Sequence, residues 1–410
     1  LNRKAALHNI GVICPAISTV LNNTYSKPAR LFVTGGDEIL SLEGVTQGDP
    51  LSMAMYALAI TPLIKSLSQE VPSDAKQVWF ADDSTSAGKL TALKRWWQCL
   101  KAAGPRYGYY PNPSKTTLVV KSEYLDEATA LFQDTGIRIT TAGHSILGAA
   151  VGTPSFVDDY LAAKVKMWKE EMEALVNIAE IYPHAAYAAF VHSIKGKWQF
   201  VMRTVDNASK VFQPIEDIIT EKFIPALTGR SHCSIEERKL LSLPTRYGGL
   251  NIIDPVEEAD KQLDASRKLT EPLKKMIIEQ SDSYRKPVLG EIKAKLREQK
   301  TNQLKNKAKF IRESLPATKQ RTMDLINEKG ASSWLTVLPL KEHGFNLNKS
   351  EFRDALCLRY DWQLKGLAQH CVCGTNFSTD HAMICPHGGM TIIRHNEIRD
   401  ITADWLSEVC

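Results

Sequence analysis

Two places in this 410-residue sequence gather side chains able to do chemistry. In the first, Asp82 and Asp83 stand side by side between the hydrophobic run Gln77 to Ala81 and the small residues Ser84 to Ala87, a pattern that reads as a hairpin with two carboxylates at its tip. Adjacent carboxylates repel each other unless something compensates, and a divalent cation does so. Hard oxygen ligands select Mg²⁺, which is commonly held by one or two carboxylates together with substrate phosphates. The plainer reading is that either aspartate only accepts hydrogen bonds within its turn. The second place is Cys371-x-Cys373-x₇-His381-x₃-Cys385. Thiols and an imidazole in such a series can close a tetrahedral Zn²⁺ site, in which metal takes the place of a core. The Cys-x-Cys gap is tighter than usual, Cys357, His370 and His387 are possible substitutes for one ligand, and a packed tail of reduced cysteines is the alternative.

The elements that must position these groups fall into two textures. Residues 1–25 read as a helix, Arg30 to Val33 and Glu38 to Leu42 as a hairpin, Ser52 to about Ser68 as a helix after the cap region Asp49-Pro50, Leu90 to Ala103 as a helix, and Thr116 to Lys121 as a strand. Gln47-Gly48 sits at the junction into the Ser52 helix, where glycine permits close approach and the amide offers both donor and acceptor. From Pro154 the pattern changes to long amphipathic helices, with Leu161, Val165, Trp168, Met172, Leu175 and Ala179 at helical spacing. Pro244 to Pro255 is a structured loop. The expectation is an α+β fold in four stretches: 1–155, an all-helical 156–255, a basic helical 256–356 and a small Cys/His-rich tail at 357–410.

Composition narrows the function classes. Hydrophobic residues make 43% and charged ones 24% of the chain, which argues against collagen-like, fully disordered and coiled-coil proteins. The apolar stretch Met53 to Ile64 is broken by Thr61-Pro62 and is too short to span a bilayer, so no membrane partner is expected. Eight cysteines suit a reducing compartment, nucleus or cytoplasm, better than a secreted disulfide scaffold. The net charge is +5, yet residues 285–321 alone carry twelve basic against three acidic side chains, so the rest of the chain is net negative. Such a segment can track a phosphate backbone, or form solvated helices with Ile292, Leu296, Leu304, Ala308, Ile311 and Leu315 on their inner face.

Four motifs occur in order: Gly44 to Ser52 (GVTQGDPLS), Phe80 to Asp83 (FADD), Gly108 to Lys115 (GYYPNPSK) and Leu147 to Gly152 (LGAAVG). The series resembles the later palm motifs of reverse transcriptases, especially those of non-LTR retrotransposons. The resemblance implies a partial polymerase palm, a small antiparallel sheet with helices, then a helical thumb and the Cys/His-rich tail. It implies RNA-templated DNA synthesis by two-metal-ion nucleotidyl transfer, with RNA template, DNA primer and deoxynucleoside triphosphates as partners. Asp82 would ligate Mg²⁺ with Asp83 as its less direct partner, both catalytic. Gln47 and Gly48 would lie beside nucleotide and template, Lys115 near the triphosphate, and Leu147-Gly148 in a turn gripping the primer end.

Two metals about 4 Å apart need more than one carboxyl pair. In the family a further aspartate comes from a strand before the hairpin that precedes the Gln-Gly loop, and Asp37, Glu38 and Glu43 do not stand there. Leu1-Asn2-Arg3 resembles the stretch just after that aspartate, so the expectation is that this chain starts downstream of it and does not polymerise alone. A knuckle after the thumb is common in retroelement proteins, which favours zinc on Cys371, Cys373, His381 and Cys385. Some relatives carry an endonuclease beyond it, a role open to His395 and Glu397, although a helix entering another domain, with Ile398, Ile401 and Trp405 on its apolar stripe, explains the same residues. The alternative to an enzyme is a non-catalytic nucleic-acid-binding relic.

Overall fold

A computed structural model describes residues 1–71, 74–281 and 286–409. The chain opens with α1 (Arg3–Ile13) and α2 (Pro15–Tyr25), the hairpin β1 (Ala29–Phe32) and β2 (Glu38–Ser41), and α3 (Ser52–Glu70). The hairpin β3 (Ala75–Phe80) and β4 (Asp83–Gly88) follows, then α4 (Leu90–Ala103), β5 (Thr117–Val119), α5 (Leu125–Phe132), β6 (Arg138–Thr140), and the hairpin β7 (Gly143–Ile146) and β8 (Ala149–Gly152). From there the described chain is helical: α6 (Pro154–Ile181), α7 (Pro183–Ala189), α8 (Lys195–Thr204), α9 (Gln213–Ile218), α10 (Ile224–Thr228), α11 (Ile235–Ser242), α12 (Pro255–Glu279), α13 (Lys286–Ser314), α14 (Ala317–Ile326), α15 (Lys349–Tyr360), α16 (Thr379–Ile384) and α17 (Met390–Val409). The fold is α+β and mostly helical.

The first expected helix is two. Pro15 has no N–H to continue the ladder and its ring pushes the preceding residue out of the helical region. Cys14 accordingly sits at φ −142°, ψ 72°, and α2 restarts with Pro15 at its first position. The strands likewise do not form one antiparallel sheet. They make four two-stranded pairs, β1–β2, β3–β4 and β7–β8 antiparallel and β5–β6 parallel. A parallel pair needs a crossover, and α5 supplies it between β5 and β6.

The chain divides into two compact units, each assembled from separated stretches, where the sequence reading had consecutive ones. The first comprises Leu1–Glu170, Gly196–Glu216 and Asp254–Gln303, and the second Glu171–Lys195, Asp217–Ile253 and Leu304 onward. In the first unit, one core joins Leu63, Leu67, Val71, Ala75, Ala92, Trp96, Trp97 and Leu100, which is α3 and α4 closing over the base of the β3–β4 hairpin. A neighbouring core packs Ala6 and Ile10 of α1 with Leu21 and Tyr25 of α2 against Met55 and Ala59 of α3. In the second unit the loop from Pro244 is gripped by two buried arginines. Arg238 donates to the Ile252 and Ile253 carbonyls at 2.7 and 3.0 Å, and Arg359 reaches the Thr245 and Gly249 carbonyls at 3.4 Å. Of the apolar stripe on α13 and just past its end, Ile311 is buried and Ile292, Leu296, Leu304, Ala308 and Leu315 are half-buried. No helix among the described residues is long and apolar enough to cross a membrane.

Candidate active site and metal centre

Beneath the aspartates, the hairpin is wired to both neighbouring helices through one buried amide. Gln77 of β3 donates to the Ile64 carbonyl (2.8 Å) and to Ser68 Oγ (2.6 Å) of α3. Its oxygen accepts from the indole N–H of Trp79 and of Trp96, each at 3.0 Å. A buried amide is stable only when its donors and acceptor are matched, and here they are. The backbone of Gln77 on the outer edge of β3 is met by Gln280 at the end of α12, which accepts from the Gln77 N–H (3.3 Å) and donates to its carbonyl (3.0 Å). The edge strand is thus closed by a side-chain amide instead of another strand.

At the tip, Phe80 pairs with Asp83 across the ladder, leaving Ala81 and Asp82 as the two turn residues. Ala81 has φ 53°, in the left-handed region that a Cβ disfavours by about 1–2 kcal/mol. Asp82 and Asp83 are exposed, and neither carboxylate has an ion pair or hydrogen-bond partner among the described residues. Both face a cavity of about 790 Å³. Lys115 and Leu147 line the same cavity, together with Tyr56 of α3, Tyr109, Tyr110 and His144. Lys115 is exposed and has no ion partner among the described residues, and the short turn Pro113–Lys115 that carries it is fixed by Asn112, whose oxygen accepts from the Ser114 N–H at 3.0 Å. Leu147 and Gly148, at φ 49° and 84°, form the two-residue turn between β7 and β8, a geometry that calls for positive φ at both positions. Burial, with the Tyr109 hydroxyl and Asp82 nearby, pushes the Tyr56 phenol up to about 12, so it remains a proton donor at neutral pH.

Gln47 and Gly48 are not in the cavity lining. They occupy an exposed turn in which the Asp49 N–H returns to the Thr46 carbonyl at 3.2 Å and Gly48 takes φ 88°, the third-position angle that needs glycine. The loop reaches the site through the helix it starts: α3 follows directly, and its Tyr56 lines the cavity near Asp82. Arg3, 7% exposed, anchors the beginning of the loop by donating to the Ser41 and Gly44 carbonyls at 2.6 and 2.9 Å. Tyr25 anchors its end by donating to the Asp49 carboxylate, which holds Asp49 below the ordinary carboxylate range. Gly108, at φ 72°, must be glycine, since a Cβ there would lie 2.4 Å from the Asn2 nitrogen.

Trp96 and Trp97 are buried core, 7% and 4% exposed, whereas Tyr110 is 73% exposed in the cavity wall. Arg3, Tyr25, Tyr56, Gln77 and Gln280 escape sequence reading because their partners lie far along the chain. The aromatic interruption of the small-residue pattern in GYYPNPSK was the one available signal for Tyr109.

The tail cluster is more complete. Cys371 and Cys373 sit on a tight turn closed by the Gly374 N–H donating to the Cys371 carbonyl (2.8 Å) and the Cys371 N–H donating to that of Thr375 (2.8 Å), with Gly374 at φ 84°. α16 then presents His381 in its first turn and Cys385 at its end, and Ser378 caps it by accepting from the His381 N–H at 3.0 Å. The four ligand atoms lie within 4.8 Å of one another. Cys371 Sγ and Cys385 Sγ are 3.7 Å apart, and Cys373 Sγ is 3.2 Å from His381 Nε2. Two sulfurs each about 2.3 Å from a tetrahedral ion would be about 3.8 Å apart, so the donor set fits a metal such as zinc. The Thr375 hydroxyl and backbone hold the Cys373 thiol down to about 6, which favours the thiolate that a metal requires. Cys357, His370 and His387 are outside the group. Among the described residues no other set of three or more His, Cys, Asp or Glu side chains is close enough to share an ion, so Asp82 and Asp83 stand without a third carboxylate. His395 and Glu397 form no such group either, and the stripe Ile398, Ile401 and Trp405 on α17 is exposed.

No protein-family model matches this chain, and no curated protein matches it.

Proposed function

We propose that this chain is the palm, thumb and zinc-bearing part of a reverse transcriptase, with Asp82 and Asp83 holding Mg²⁺ for nucleotidyl transfer to a DNA primer on an RNA template. The observation that carries the reading is the convergence of three separate motifs on one cavity: the carboxylate turn, Lys115 and the Leu147 turn. A cation on Asp82 and Asp83 would neutralise charge on the transferring phosphoryl group, and Lys115 would meet the triphosphate. Zinc on Cys371, Cys373, His381 and Cys385 would organise a nucleic-acid-binding tail.

The test is primer extension on an RNA template with Mg²⁺. The chain alone should give none. Extension should appear when a preceding polypeptide segment supplies a strand-borne aspartate to the cavity, and Asp82→Asn should abolish it. Extension that survives Asp82→Asn and Asp83→Asn together would sink the proposal.

A second reading, a nucleic-acid-binding protein without catalysis, is favoured by the absence of a third carboxylate beside Asp82 and Asp83 among the described residues and by the basic helices. Lys293, Lys295, Arg297, Lys305, Lys319 and Arg321 have no ion partner among the described residues. It expects salt-sensitive RNA or DNA binding that Asp82→Asn leaves unchanged, and no extension in any context.

A further inference from the structure

We infer that Tyr109 is a positioning residue that fixes the peptide joining the two aspartates and thereby the angle between their carboxylates. The inference rests on reading the turn as a cation site. The Tyr109 hydroxyl donates to the Asp82 carbonyl at 2.9 Å. Its proton being committed there, its oxygen accepts from Ser84 Oγ at 3.1 Å. The clasp therefore takes hold of residues 82 and 84, on either side of Asp83. The Asp82 carbonyl belongs to the peptide between the carboxylates, and rotation of that peptide is the motion that would swing one carboxylate away from the other.

Two further observations show why a clasp is needed. Asp82 is a turn residue, so its carbonyl has no cross-strand partner, and Ala81 stores strain that only surrounding structure can hold. Tyr109 is itself held from behind. Its ring meets Trp79 edge-on with centroids 5.3 Å apart, and its N–H donates to the Gly104 carbonyl at 3.0 Å. Trp79 is in turn bonded to Gln77, so the chain of contacts runs from the buried amide through two aromatic rings to the carboxylate turn. Tyr109 also belongs to the segment that continues to Lys115, which makes the turn and the cationic wall of the cavity one mechanical piece.

Tb³⁺ serves as the probe, a hard cation that seeks oxygen ligands and luminesces when a neighbouring indole is excited; Trp96 and Trp97 line the cavity and Trp79 lies behind Tyr109. The full chain with zinc in the tail is titrated as native protein and as Tyr109→Phe, Ser84→Ala and Asp82→Asn. Tyr109→Phe keeps the ring contact and removes both hydrogen bonds, and loss of bonds of this kind corresponds to about a two- to tenfold change in equilibrium. The expected result is a titration midpoint raised by that factor, a smaller rise for Ser84→Ala, loss of the signal for Asp82→Asn, and a shorter luminescence lifetime in Tyr109→Phe as water replaces a carboxylate on the ion. The lifetime is a readout that a purely structural role would leave alone. An unchanged midpoint and lifetime in both Tyr109→Phe and Ser84→Ala, with Asp82→Asn still abolishing the signal, would overturn the clasp and leave the cation site standing. A signal that persists in Asp82→Asn would overturn the cation site and the clasp with it. Should Tyr109→Phe fail to fold, Ser84→Ala decides by the same two measurements.

Discussion

In the tail, one turn and one short helix between residues 371 and 385 bring four ligand atoms within 4.8 Å of one another. The carboxylate turn is assembled differently. Its cavity draws on α3, β3–β4, α4, the Gly108 to Lys115 segment and β7, and its two acids gain no third partner among the described residues. A site made locally can be finished by its own short sequence, with metal providing what a core of that size cannot. A site made of distant elements depends on a core beneath it, here the Trp96, Trp97 and Leu100 cluster and the Gln77 amide. The two regions should therefore fail under different insults.

Metal removal should produce the largest effect, confined to the tail. Zinc contributes on the order of 10 kcal/mol to small structural sites of this kind, more than the tail has from packing. We expect close to one zinc per chain in metal analysis and none after Cys373→Ser. Hydrogen exchange after chelation should rise across residues 370–385 while protection in Ala75–Gly88 holds. If both regions lose protection together, the tail is part of the support for the hairpin and the contrast between them fails.

Gln77→Leu is the converse experiment. It orphans the Trp96 and Trp79 indole N–H groups and removes the bond to Ser68 Oγ, and unsatisfied buried groups cost about 1–3 kcal/mol each where water does not reach. Denaturant unfolding followed by tryptophan fluorescence should show a loss of about 3 kcal/mol in the first unit, with zinc content unchanged. Gln280→Ala touches only the exposed edge of the same strand and should cost about 1 kcal/mol. A loss from Gln280→Ala as large as that from Gln77→Leu would mean that α12, not the amide beneath, is the main support of the hairpin.

These experiments also mark where sequence reading ends. Local signals carried far: α4 begins and ends where its periodicity does, the two hairpins with Arg30 and Asp82 stand where alternation put them, and the Cys/His ligands group as their spacing implied. What depends on distant pairing was not readable. The amides of Gln77 and Gln280 meet across 203 residues, and nothing near either one announces it. The parallel pairing of β5 with β6 depends on α5, whose eight residues have too little periodicity to declare themselves. Gln47 and Gly48 were expected beside the nucleotide, and the residue their loop delivers to the cavity is Tyr56, eight residues past Gly48 on α3.

The smallest effect is the most discriminating, because it sets one backbone torsion against its counterpart in the tail. Gly374, at φ 84°, is a glycine where the turn demands positive φ; Gly374→Ala should cost about 1 kcal/mol and weaken zinc retention through strain in the Cys371–Cys373 turn. Ala81 holds a similar angle without being glycine, so Ala81→Gly should relieve about 1 kcal/mol of strain. The greater freedom of glycine in the unfolded chain takes back about 0.5–1 kcal/mol, so the melting temperature should scarcely move. Cation affinity at the turn should fall all the same, because the Asp82–Asp83 peptide is then held by the Tyr109 bond alone and no longer by a stiff residue before it. If Ala81→Gly instead raises the melting temperature and leaves Tb³⁺ affinity untouched, the strain at Ala81 is incidental to the site. Both turns would then be ordinary solutions to a tight bend, and what distinguishes them would lie in their ligands.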